Sequence, residues 1–181
     1  RNAAPLRNAY YRGEKAATAR VNIAFAYVGD MQLELIELIG DTPSLYKEAI
    51  DRNITGVHHY AVCVDDFPGA YNWALDNGFD AVVDVGVDGL VRMSYVENRE
   101  RGLILEVIQW NALTRPYFEG LESLVNDANP AQPVHEFSLD DLQAFIPKGA
   151  AMLQVARYSL MKLFGRVQQT RREPEQRGIA T

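Results

Sequence analysis

The sequence predicts an α+β fold, and three observations carry that reading. Short apolar runs, closed by turn residues, recur along the first 110 positions. Two segments between those runs switch to helical spacing and open on capping residues. The second half then reads strand, helix and three strands, and the first half repeats the end of that order.

Each element follows from its residues. Val21–Val28 is a short apolar run stopped by Gly29-Asp30, and Gln32–Ile39 is a second, stopped by Gly40-Asp41. Two such runs around a tight turn predict a β-hairpin. Asp41-Thr-Pro-Ser opens a helix over Leu45–Arg52 with Ser44 as its cap. Val57–Val64 is a strand bounded by Gly56 and Asp65-Asp66. Pro68–Asp76 is a helix with Asp66 as cap, Pro68 in the first turn and Gly78 just past the end. Phe79–Val87, Gly89–Glu97 and Leu103–Trp110 are three further strands, the last two joined by the polar turn Asn98–Gly102. Leu113–Leu124 is a surface helix and Asn126–Val134 a connector. From Gly149 to Gln168, Leu153, Ala156, Leu160, Leu163, Phe164 and Val167 form an apolar stripe at helical spacing, and residues 170–181 are polar enough to be disordered. His135 reads as a surface residue.

Composition bounds the function. A chain of 181 residues, 48% hydrophobic and 23% charged, is long enough for one core without disulfide or metal staples. No apolar run reaches the ~18 residues of a membrane-spanning helix. The single Cys63 forms no internal disulfide and fits a reducing compartment, so a cytoplasmic location is expected. No signal peptide is evident, and the first residue is Arg1 rather than Met, so something is expected to have been removed upstream. The net charge of −6 divides into +5 over residues 148–181 and −11 over the rest. So acidic a body excludes nucleic-acid binding by bulk electrostatics. The apolar stripe of the basic C-terminal helix is expected to dock on this body or on a second subunit.

The candidate chemistry lies on the strands. Leu33-Glu34-Leu-Ile-Glu-Leu aligns with Leu105-Glu106-Val-Ile-Gln-Trp, and Tyr27-Val-Gly-Asp with Tyr95-Val-Glu-Asn, which suggests two copies of one unit. Glu34 and Glu106 therefore occupy equivalent places in apolar strands, where a buried carboxylate needs a partner, water or a cation. His58 and His59 open the strand that begins the second copy; strand alternation turns them to opposite faces, so only one enters a given cavity. Two carboxylates and an imidazole make an oxygen and nitrogen donor set suited to Mn, Fe, Co, Ni or Zn. Tyr27, Tyr60 and Tyr95 could donate from a phenol, although core packing with a wet hydroxyl accounts for each. Cys63 reads as a small buried hydrophobe.

Gly56-Val-His-His-Tyr-Ala-Val-Cys-Val-Asp-Asp, a helix, and three strands ending in Ile-Leu-Glu-Val-Ile-Gln resemble the vicinal oxygen chelate superfamily, which includes glyoxalases, methylmalonyl-CoA epimerases, extradiol dioxygenases and bleomycin-resistance proteins. The resemblance runs over about residues 9–110 and is closest to the glyoxalase-like and epimerase-like branches. It implies paired βαβββ modules curved into a cup-shaped mixed sheet around a divalent metal. It implies a glyoxalase-like domain over 1–112, with a partial first module at 9–39 and a complete second at 54–110, followed by a helical extension with a basic tail over 113–181. It places the metal on Glu34, His59 and Glu106, with Glu34 or Glu106 also moving a proton. Ala61 and Cys63 would share the cup face, and His58 would face away.

Two departures accompany the resemblance. The family's fourth ligand falls before Arg1, so the first strand and helix of module one are expected to lie outside this chain. Asn22-Ile-Ala-Phe-Ala lacks the second acid of the epimerases, which argues against two-base epimerisation. The resemblance implies a divalent-metal isomerase or lyase acting on a small substrate with adjacent oxygens through an enediolate or enolate. A non-enzymatic small-molecule binder of the bleomycin-resistance type is the alternative, and an extradiol-type dioxygenase the third. A homodimer is expected from the family and from the sheet edge that the missing strand would leave open.

Overall fold

The computed structural model describes residues 9–17, 19–87, 90–127, 131, 134, 136, 145–150, 152–154 and 156. The first described elements are two very short strands that the sequence did not announce, β1 (Tyr10–Tyr11) and β2 (Glu14–Lys15). They are joined by the two-residue turn Arg12-Gly13, where both residues adopt positive φ, 49° and 84°. That is the backbone twist a tight hairpin requires, supplied at one position by an ordinary side chain.

The expected hairpin follows as β3 (Arg20–Val28) and β4 (Met31–Ile39), in register from Arg20↔Ile39 to Val28↔Met31 around Gly29 at φ 59°. Helix α1 (Leu45–Asp51) starts where Ser44 accepts a hydrogen bond from the Lys47 backbone N–H. Strand β5 (Tyr60–Val64) leads to helix α2 (Phe67–Asp76), capped by Asp66 accepting from the Gly69 N–H, with Pro68 in its first turn. Strands β6 (Asp80–Val87), β7 (Val91–Asn98) and β8 (Leu103–Gln109) and helix α3 (Thr114–Asn126) complete the described elements.

The strands form a six-stranded mixed sheet in the order β2-β1-β6-β7-β8-β5 and a separate two-stranded sheet, β3-β4. β5 runs parallel to β8, and every other pairing is antiparallel. The second half is thus the strand, helix and three strands read from the sequence. β1 attaches to its far edge through Tyr10↔Asp84 and Tyr11↔Val83, which ties the first half of the chain to the second.

The two faces of the large sheet have different tasks. Helix α2 covers one, burying Phe67, Tyr71, Ala74, Phe79, Val96 and Val107 around the stacked Phe67 and Tyr71 rings. On the other face Leu45 of α1 packs with Val82 and Tyr95, and Tyr11 and Ile104 close around them. Helix α3 lies against β3. No helix among the described residues is long and apolar enough to cross a membrane.

Two expectations require correction. The strand read from Val57 begins only at Tyr60, so His58 and His59 lie ahead of β5 and strand alternation does not govern them. Cys63 is exposed rather than buried, on β5 at the edge of the sheet. The helix expected over 149–168 is described only at a few residues near its start; the rest of it, His135, most of the 126–134 connector and the 170–181 tail lie outside the described residues.

Candidate functional site

Glu106 sits at the centre of β8, with Tyr95 of β7 directly opposite on one side and Ala61 of β5 on the other. Paired residues of neighbouring strands share a face, so Glu106, Tyr95 and Ala61 look toward the side that α1 crosses. The chain entering β5 brings His59 to the same place. Its Nε2 lies 3.2 Å from Glu106 Oε2, and both side chains are only 7% exposed. A carboxylate in an apolar strand has therefore found the partner its burial demands.

The surrounding groups extend this pair into a chain of contacts. The Tyr95 ring meets the His59 ring edge-on at 5.2 Å between centroids. The Tyr95 hydroxyl is 3.0 Å from that of Tyr46 on α1 and also engages Glu106. Burial, reinforced by the Glu106 charge, pushes the Tyr95 phenol well up; burial pushes Tyr46 up to about 12. Both phenols therefore keep their protons through the neutral range and remain hydrogen-bond donors.

His58 joins this group instead of facing away. Its Nδ1 is 3.0 Å from Nδ1 of His59, its Nε2 is 3.3 Å from the Leu45 carbonyl oxygen, and its ring lies 5.3 Å from that of Tyr46. Desolvation, then the neighbouring His59, lowers its pKa and favours the neutral imidazole.

Glu34 lies on the β3-β4 hairpin, near enough for the charges of Glu106 and His59 to act on it. It remains partly open to water. Partial desolvation, then the negative charge of Glu106, raises its pKa, while His59 opposes them. Burial, then the charge of Glu34, raises the phenol of Tyr117 on α3, the helix that lies against β3. The repeat is imperfect here. Tyr95 stands opposite Glu106, but Phe25 stands opposite Glu34, and Tyr27 lies two residues nearer the turn, opposite Gln32, which donates to its hydroxyl. The shorter first hairpin shifts the phenol out of line with its carboxylate.

Of the three expected metal ligands, His59 and Glu106 meet, while Glu34 reaches them through its electric field rather than by contact. Among the described residues no three His, Cys, Asp or Glu side chains gather closely enough to hold a metal ion. The described residues alone therefore do not make up a three-ligand divalent site. Of the tyrosines considered, Tyr95 belongs to the site, Tyr60 is exposed at the sheet edge, and Tyr27 lies on the hairpin beside Glu34. Tyr46 and Tyr117 escaped the sequence reading, because no linear spacing relates a residue of α1 or α3 to Glu106. Cys63 shares the face of Glu106 two residues beyond Ala61; burial and that carboxylate push its thiol up to about 11.

The family model of the glyoxalase/bleomycin resistance protein/dioxygenase superfamily matches residues 6–91. The match takes in the hairpin with Glu34 and both histidines and stops short of Glu106. No curated protein matches the sequence.

Proposed function

Through residues 6–91 the chain belongs to the glyoxalase/bleomycin resistance protein/dioxygenase superfamily, and from that premise we propose that it binds a small organic molecule with adjacent oxygens and moves a proton on it. The ligand would lie between the β3-β4 hairpin and the face of β8. The observation that carries this reading is the buried contact of 3.2 Å between His59 and Glu106, faced by Glu34 and hydrogen-bonded phenols. A carboxylate in that setting can take a proton from the hydroxyl-bearing carbon beside a carbonyl, leaving an enediolate, and return it to the former carbonyl carbon while the hydroxyl proton passes to the former carbonyl oxygen. Tyr95 and Tyr46, which keep their protons, supply hydrogen bonds to the charge that develops. A divalent metal (Zn, Ni, Co, Mn or Fe) has no step in this chemistry, since among the described residues only His59 and Glu106 of the expected donors meet.

Binding without chemistry is the second reading. β3 favours it, because the residues it turns to the side of Glu34 are Val21, Ile23, Phe25 and Tyr27, with no second acid.

Hydroxyacetone, an α-hydroxy ketone, distinguishes the two. In D2O, loss of its CH2 proton signal should be faster with the protein than in buffer, and Glu106→Gln should return it to the buffer rate. Saturable binding without exchange would replace the enzyme by the binder. Exchange abolished by EDTA and restored by one of those metals would overturn the omission of metal.

A further inference from the structure

The cup face of the large sheet is crossed by α1, a helix of seven residues that is too short to hold itself in place. Its start does the work at the site. Tyr46 meets Tyr95, and the Leu45 carbonyl meets His58. Two residues further on, Glu48 comes to the part of β7 that holds Glu97, just as Tyr46 comes to Tyr95. Helix and strand would therefore touch at two points, but the second sets one carboxylate against another. Glu97 is nearly buried, with its side chain only 9% exposed, so like charges there would push α1 away from β7.

Arg12 reverses that sign. Its guanidinium donates to Glu48 at 2.7 and 2.6 Å and to Glu97 Oε2 at 3.2 Å from each of two nitrogens. The Tyr11 hydroxyl donates to the same Glu48 oxygen as Arg12 Nε, and Arg99 supports Glu97 from the solvent side at 3.0 Å. The backbone is committed to this placement. Arg12 takes φ 49°, which side chains other than glycine seldom adopt, and its N–H donates to the Val82 carbonyl at 2.7 Å. A glycine would suit the turn better, but it could not bridge the two acids.

We propose that Arg12 is a positioning residue of the cup: by bridging Glu48 and Glu97 it clamps α1 across β7 and so sets Tyr46 against Tyr95 and the Leu45 carbonyl against His58. The assignment rests on reading this cup as the functional site. It touches neither a ligand nor the His59–Glu106 pair, and the clamp is measurable with no ligand present.

The experiment is proton NMR of the free chain. Cross-relaxation from the Tyr46 ring to the rings of Tyr95 and His58 reports the clamp. The Phe67–Tyr71 contact on the opposite face of the sheet reports the fold. Arg12→Met should lose the Tyr46 cross-peaks, speed amide exchange of α1 at least tenfold, and keep the Phe67–Tyr71 peak. Adding Glu97→Gln removes the repulsion and should restore the Tyr46 peaks in part, a rescue that loss of packing alone would not give. If Arg12→Met also loses the Phe67–Tyr71 peak, Arg12→Lys takes its place, since an ammonium cannot fork between both acids as a guanidinium does. Unchanged Tyr46 cross-peaks in the reporting variant, or a double variant no better than the single, would overturn the clamp. Failure of the hydroxyacetone assay with the clamp intact would count against the proposed chemistry alone.

Discussion

Cys63 offers a direct reading of the electrostatics of the cup. It lies at the edge of the large sheet, on the side of Glu106 and open to water on part of its surface, and partial desolvation, then that carboxylate, pushes its thiol from 9.0 to about 11. Below both values, such a shift leaves about a hundredfold fewer thiolates than an ordinary cysteine. The rate does not fall by the same factor, because the more basic thiolate is also the better nucleophile. With a Brønsted slope of about 0.4–0.5, the higher basicity recovers roughly tenfold. Cys63 should therefore attack an aromatic disulfide about 10-fold more slowly than a free cysteine at neutral pH, despite its exposure. Glu106→Gln removes the carboxylate's share and should speed the reaction, whereas Glu119→Gln on α3 should leave it unchanged. Following the thiolate released from the disulfide by absorbance gives the rate. Reaction of wild-type Cys63 at the rate of a free thiol would refute the reasoning, as would indifference to Glu106→Gln.

Other outcomes follow from the same contacts. Phe67 is fully buried and stacked on Tyr71, so Phe67→Ala should cost about 3–5 kcal/mol in urea unfolding. Arg12 holds the Glu48 carboxyl below its ordinary value, chiefly by hydrogen bonds. A depressed carboxyl adds stability above its unfolded pKa and loses it as pH falls through its folded one. The gap in melting temperature between wild type and Glu48→Gln should thus be open at neutral pH and close in acid below the ordinary carboxylate range; a gap constant with pH would contradict it. Val28, Met31, Leu33 and Leu35 are exposed on the hairpin, and a homodimer covering them should sediment as such and dissociate in Leu35→Glu.

Much of the architecture was legible because it is written locally. Gly29-Asp30, Ser44, Asp66-Phe-Pro and Gly78 mark turns and caps whose physics involves a few neighbouring residues, and the elements begin and end within a residue or two of them. Recurrence also exposed Glu34 and Glu106, since a carboxylate among Leu, Ile and Val is conspicuous in any strand. The limit came where a local rule was carried past its element. Alternation would have sent His58 to the opposite face, but β5 starts one residue after His59, and outside a ladder nothing enforces a period of two.

What the sequence determined by itself was the list of elements other than the short β1-β2 hairpin, the acidic body and the two strand carboxylates, because each depends on residues adjacent in the chain. Tertiary structure decided which of those groups work together. It brought His59 onto Glu106, left Glu34 on a separate hairpin, and recruited Tyr46 from α1, 60 positions from Glu106 in the chain. It also turned Glu48 and Glu97, two acids that should repel, into an anchor by placing Arg12 between them. Charge and hydrogen bonding act through space at a few ångströms, so sequence reveals the groups available, and only the packing of α1 and the hairpin onto the sheet selects the partners.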